Sequence, residues 1–255
     1  MKVALLQSDI TWASPKQNCS HIAQLLGVAE HSDLYVFPEM FSTGFVSHPE
    51  GIAEELRGGN CYSLLWMKQM SVSLDAALCG SIAVREEDGR YYNRLYFVTP
   101  DGRCEFYDKH HLFAYGGEHL CYTPGEGRVV VKWRGVRFLL QVCYDLRFPV
   151  FSRWCSADPY DAIIYVANWP CSRQDVWQTL LRARAIENQC YVLGVNRVGT
   201  DPSCNYAGGS MLISPYGNIQ EQCPMGEESV IVADMDMVLL EDFRKKFPVL
   251  DDADS

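Results

Sequence analysis

The sequence predicts an α/β protein of four α-β-β-α layers, built as a sandwich from two similar halves. Three observations predict it. Short apolar runs of strand length alternate with stretches whose apolar residues recur at helical spacing, the pattern of layered α/β folds. Turn residues repeat at near-constant offsets: Gly80 and Gly194 lie 114 apart, Pro100 and Pro215 lie 115 apart, and Asp33 and Asp161, each opening a strand, lie 128 apart. No Pro/Gly/Ser-rich linker interrupts the 255 residues. Two sheets, each with helices on one face, bury their free faces against each other. A single domain over 1–255 is therefore expected, with a short C-terminal tail from about 235.

The elements follow in order. Val3-Ala4-Leu5-Leu6-Gln7 is a buried-strand run. Ser14, Pro15 and Gln17 predict a helix start, with Ser14 as N-cap, Pro15 in first position and Gln17 closing a capping box. Ile22, Leu25, Leu26 and Ala29 then form one apolar stripe at i, i+3, i+4 and i+7. Leu34-Tyr35-Val36-Phe37 is a strand stopped by Pro38. A second helix is expected over 56–74, then strands over 77–84 and 95–98, joined by the turn signal Asp88-Gly89. The order recurs with a strand over 136–142, a short helix over 148–156, a strand over 161–166, a helix over 174–188, and strands over 191–195 and 211–214. TPDG at 99–102 and SPYG at 214–217 end equivalent strands. Residues 109–127 form a long irregular stretch, and long loops inside compact domains are usually functional or disordered.

Composition narrows the function. Lys and Arg number 22 against 32 Asp and Glu, a formal charge of −10, with no run of four or more basic residues. A module that binds nucleic acid through its phosphates needs the opposite sign. Hydrophobic residues at 48% supply a large core. No apolar run approaches the ~20 residues of a membrane span, and the opening run is too short for a signal peptide. Eleven cysteines include no CxxC pair, the closest two being Cys143 and Cys155. Reduced thiols in the cytoplasm are expected.

Three strands end in a polar or reactive residue. Glu39 follows Leu34–Pro38, Lys109 follows Glu105-Phe106-Tyr107-Asp108, and Cys143 follows Phe138-Leu139-Leu140-Gln141-Val142. Sites in α/β sheets form outside the carboxyl ends of strands. Each residue alone has a plain reading as a surface charge or an inert buried thiol. Together they supply a base, a cation and a nucleophile, because a thiol needs a base to take its proton and a cation eases the thiolate.

FPEMFSTGF around Glu39, FYDKHHLF around Lys109 and QVCYDLRFPVFSRW around Cys143 resemble, in order and spacing, the three signatures of the carbon–nitrogen hydrolase (nitrilase) superfamily. The resemblance covers essentially the whole chain, including YVANWP at 165–170 and RARAIENQCYV at 182–192, and is strongest to the omega-amidase branch. It implies a four-layer α-β-β-α sandwich and a Glu39–Lys109–Cys143 triad. The family's additional glutamate falls on Glu118 in GGEHLCYTPG. His110 departs locally, where close relatives more often carry a residue such as Arg.

The implied chemistry is amide hydrolysis through a thioester, with Lys109 and the Tyr144 N–H holding the oxyanion and no cofactor or metal required. Arg147, four residues after Cys143, has two open readings: a bidentate seat for a substrate carboxylate, or a structural ion pair with Asp145 or another acid. Phe45, Phe113, Tyr144 and Trp169 are candidate aromatic walls. The resemblance implies a short dicarboxylate monoamide as substrate, such as 2-oxoglutaramate or 2-oxosuccinamate. The alternatives are another hydrolase of the superfamily, acting on N-carbamoyl compounds, nitriles or other amides, and a non-catalytic binding protein with this fold. Family members commonly pair, so a homodimer through 148–156 and 235–247 is expected, with no nucleic acid or membrane partner.

Other signals carry less. His110, His111 and His119 lack any accompanying HExxH or CxxC pattern and read as loop histidines rather than metal ligands. GEG at 125–127 lacks the third glycine of a dinucleotide loop, and GGSML around Ser210 lacks the G-x-S-x-G spacing of a serine hydrolase.

Overall fold

A computed structural model describes residues 1–59 and 61–252. Two sheets form its centre. The first runs Ser229–Asp234, Lys2–Gln7, Leu34–Val36, Ala77–Arg85, Tyr91–Val98, Cys104–Asp108, with Glu54–Glu55 pairing beside Ala77–Arg85. The second runs Val130–Trp133, Val136–Val142, Ala162–Ala167, Tyr191–Asn196, Met211–Ile213, Ile219–Gln222. Each has three parallel central strands flanked by antiparallel ones in the same order.

The repeat read from the turns is exact enough to extend to single hydrogen bonds. Lys2 N–H donates to the Asp33 carboxylate at 2.8 Å, and Arg137 N–H donates to the Asp161 carboxylate at 3.0 Å. Ala77 N–H donates to the Asp33 carbonyl as Tyr191 N–H does to that of Asp161. Gly102 and Gly217 close the two strand-end turns with φ 88 and 79, a conformation glycine adopts without a Cβ clash. Gly80 and Gly194 share a packing reason. A Cβ on Gly80 would lie 3.0 Å from Cβ of Phe37, and one on Gly194 would lie 2.4 Å from the Leu181 side chain.

Side chains alternate across each strand, as the period of two requires. Val3 and Leu5 join Phe138, Leu140 and Ile164 in the core between the sheets, where the rings of Phe97 and Phe138 meet at 5.9 Å. Ala4 and Leu6 face outward, with Ile22, Leu26 and Met67 of helices Pro15–Val28 and Tyr62–Leu74. On the other side, Ile163 and Val192 pack against Trp177, Leu181 and Ala185 of helix Gln174–Glu187. The four layers expected from the sequence are present. Full burial of each such side chain contributes about 1.5–3 kcal/mol relative to exposure.

Several boundaries differ. The helix expected over 56–74 starts at Tyr62, because Gly58 and Gly59 sit at φ 69 and 72 and cannot continue a right-handed helix; residue 60 lies outside the described residues. Ser14 precedes its helix without a capping box, since its hydroxyl is turned back to the Trp12 carbonyl at 3.1 Å. The short helix over 148–156 is reduced to Pro149–Ser152, preceded by a 3₁₀ turn over Cys143–Arg147. The chain beyond 235 contains a helix, Met237–Lys246. Asp236 caps it by accepting from the Val238 and Leu239 N–H groups, and Leu240 reaches the core between the sheets.

Candidate active site

Four titratable residues converge where the strands of both sheets end. Glu39 follows Leu34–Val36 and Pro38 and is fully buried. Its Oε1 accepts from Lys109 Nζ at 2.9 Å and from Asn93 Nδ2 at 2.7 Å, and its Oε2 accepts from Asn168 N–H at 2.8 Å. Lys109 follows Cys104–Asp108 and is 1% exposed. Its Nζ also donates to both oxygens of Glu118, at 2.8 and 3.1 Å. Glu118 opens the short helix Glu118–Cys121 and accepts from Phe113 N–H at 2.6 Å.

Cys143 ends strand Val136–Val142 at φ 44, a left-handed conformation that is strained for a residue with a Cβ. Asp145 locks this turn. Its carboxylate accepts from Val142 N–H at 2.9 Å, Tyr107 O–H at 2.8 Å and His111 N–H at 3.0 Å. The turn bearing the thiol is thereby tied to the segment bearing Lys109.

The electrostatics follow from burial. Desolvation works against the Lys109 ammonium, but Glu118 and Glu39 outweigh it and hold its pKa above the ordinary value. Burial, only partly offset by Lys109, raises the Glu118 carboxyl above the usual range, with Glu39 adding to the rise. Burial and then the Glu39 charge push the Cys143 thiol well above its ordinary value, although Lys109 opposes this. Burial and the neighbouring Glu39 thus both favour the protonated thiol over the thiolate.

A cavity of about 310 Å³ opens over the thiol. Lys109, Cys143, the four expected wall residues (Phe45, Phe113, Tyr144 and Trp169) and Arg147 line it. Phe113 is the hub of the wall, its ring 5.1 Å from Tyr144 and 6.4 Å from Phe45. Arg147 is not paired with Asp145; its guanidinium lies over the Trp169 ring at 5.1 Å and makes no ion pair among the described residues. The ion-pair reading of Arg147 with Asp145 is thereby set aside.

The histidines serve as packing. His110 Nδ1 donates to the Gly125 carbonyl, 2.6 Å away, and its ring stacks on Phe151, while His111 binds Asp145 and stacks on Phe148. Sequence reasoning missed Asn93, Asp145 as an anchor, Asn168, and the cavity residues Arg173 and Tyr206. Asn93 carried a signal: a strand-disfavoured amide inside an aromatic strand run.

The family model described as carbon-nitrogen hydrolase matches residues 2–245. The chain belongs to the carbon-nitrogen hydrolase family. It is 44% identical over 255 residues to the omega-amidase YafV of Yersinia enterocolitica, covering 100% of this chain and 97% of that protein. It is 32% identical over 254 residues to the 2-oxoglutaramate amidase of Bacillus subtilis, covering 98% and 96%. Among solved structures it resembles XC1258 of Xanthomonas campestris, a CN-hydrolase superfamily protein with an arsenic adduct in its active site. The TM-score is 0.94 at 40% identity, covering 100% of this chain and 97% of that one.

Proposed function

We propose that this carbon-nitrogen hydrolase is an omega-amidase, releasing ammonia from the terminal amide of a short dicarboxylate monoamide such as 2-oxoglutaramate or 2-oxosuccinamate. The observation that carries the reading is geometric: Cys143, Lys109 and Arg147 line one cavity, Lys109 is held by Glu39 and Glu118, and Arg147 has no acid partner among the described residues. Relatives named omega-amidase and 2-oxoglutaramate amidase, matched over nearly full length, support the substrate class.

In this reading Glu39 takes the thiol proton as Sγ attacks the amide carbonyl. Lys109 and the Tyr144 N–H hold the resulting oxyanion, stabilisation of the kind often worth about 3–4 kcal/mol. The tetrahedral centre collapses, the C–N bond breaks, and ammonia leaves with the proton from Glu39. Water then attacks the thioester while Glu39 accepts its proton, and the sulfur recovers that proton as the acid departs. Glu118 keeps Lys109 charged and aimed. Arg147 holds the far carboxylate, with Phe45, Phe113, Tyr144 and Trp169 as walls.

The test is ammonia release from 2-oxoglutaramate and succinamate by wild type and by Cys143→Ala. Release by wild type alone supports the reading. Release by both removes Cys143 as nucleophile. Release by neither, with Cys143 still alkylated selectively, moves the substrate to N-carbamoyl compounds or nitriles, and uniform slow labelling of all thiols leaves a non-catalytic protein.

The reading includes a cytoplasmic homodimer. All eleven cysteines are free, and no helix among the described residues is long and apolar enough to cross a membrane. Val150, Val238 and Phe247, within the two expected pairing segments, are 78%, 70% and 58% exposed. A monomer in light scattering at working concentration would remove the dimer.

A further inference from the structure

The cavity holds a second guanidinium that the reaction as described does not use. Arg173 ends the 3₁₀ turn Cys171–Arg173 and stands at the N-terminus of helix Gln174–Glu187. A cation there opposes the helix dipole, which favours negative charge at that end. Arg173 makes no ion pair among the described residues, and its guanidinium lies over the Phe113 ring at 5.6 Å. Arg147 is seated the same way on Trp169, and Trp169 Nε1 donates to the Arg173 carbonyl at 2.9 Å, so the two seats are joined. Among the described residues no Asp or Glu lines the cavity, although acids outnumber bases 32 to 22 in the chain. Two guanidinium groups without acid partners among the described residues, and a helix N-terminus behind one of them, make this cavity electropositive and suited to an anionic ligand.

We infer that Arg173 and Arg147 together form a two-armed anion seat, and that Arg173 determines specificity for amides whose far end is a carboxylate. This deepens the omega-amidase reading and rests on it for its substrates. Seating on aromatic faces restrains each fork before the anion arrives, which lowers the ordering cost of binding.

The test compares succinamate with butyramide, which replaces the carboxylate by a smaller, uncharged methyl group. In Arg173→Met the kcat/KM ratio of succinamate to butyramide falls tenfold or more, mainly through KM, and Arg173→Lys restores part of it. An equal fall for both substrates would make Arg173 structural and overturn the inference. A second measurement stands apart from turnover: protection of Cys143 against iodoacetamide by succinate. Wild type is protected at a succinate concentration at least tenfold below that needed by Arg173→Met. Equal protection overturns the anion seat even if amide hydrolysis is confirmed. Absent hydrolysis with protection still lost in the variant would sink only the amidase reading.

Discussion

The side-chain amide of Asn93 donates to Glu39 Oε1 at 2.7 Å and to Glu118 Oε1 at 3.1 Å, so one neutral group cross-links the two buried carboxylates that flank Lys109. Removing it leaves each acid short of a donor, a loss of about 1–3 kcal/mol where the site is buried. Asn93→Ala is expected to lower kcat ten- to hundredfold while the far-UV spectrum stays unchanged. Steady-state kinetics with unaltered kcat would show that Lys109 alone aligns the pair.

Lys109 is the only cation among the described residues that contacts Glu39 and Glu118, and all three side chains are fully buried. Breaking a buried pair by removing one partner typically costs about 3–5 kcal/mol. Lys109→Met should therefore lower Tm by roughly 6–20 °C, at 2–4 °C per kcal/mol for a chain near this size. Glu118→Gln should lower it less, because Lys109 keeps Glu39. Thermal melts in the reverse order would contradict this arrangement.

Gly125 stands against the strand end that delivers Lys109. A Cβ here would lie 2.1 Å from the Asp108 carbonyl oxygen, and Gly125 N–H donates to the Lys109 carbonyl at 3.0 Å. Gly125→Ala must displace backbone rather than a flexible side chain, so kcat/KM should fall at least tenfold with a stability loss of about 1–3 kcal/mol. A fully active, equally stable variant would show that the loop yields freely.

The three raised pKa values give a pH signature. Glu118, raised chiefly by burial, takes up its proton in the folded state above the ordinary carboxylate range, so ionising it works against stability as pH rises through that folded value. Lys109, also raised, contributes stability that is complete below its unfolded value and is lost only as pH rises through its folded one. The acid limb of kcat/KM should thus lie above ~4.3, the value of a free glutamate. Alkylation of Cys143 by iodoacetamide should still be rising above pH ~8.5, the ordinary thiol value, because its thiol is held neutral. A plateau by neutral pH would mean a resting thiolate.

The reactive ends of three strands were legible in the sequence because Glu39 and Cys143 each interrupt an apolar run at its carboxyl end, and Lys109 follows a short strand run directly before two histidines. The turn repeats at Asp33/Asp161 and Pro100/Pro215 carried the duplication for a similar reason: these residues act locally, and local rules are written in neighbouring residues. Asn93, Asn168 and Arg173 act through partners far along the chain, which periodicity does not report. Ser14 shows the opposite limit, since the capping-box motif is present in the sequence but its hydroxyl donates to the Trp12 carbonyl and forms no cap.

The duplicated sheets have a consequence for how the protein loses function. Glu39, Lys109 and Glu118 belong to the first copy, whereas Cys143 and Asn168 belong to the second, and Asn168 binds Glu39 across the joint. Neither copy holds a complete set. Turnover should thus report alignment between the copies, and is expected to fall in mild denaturant before far-UV ellipticity does.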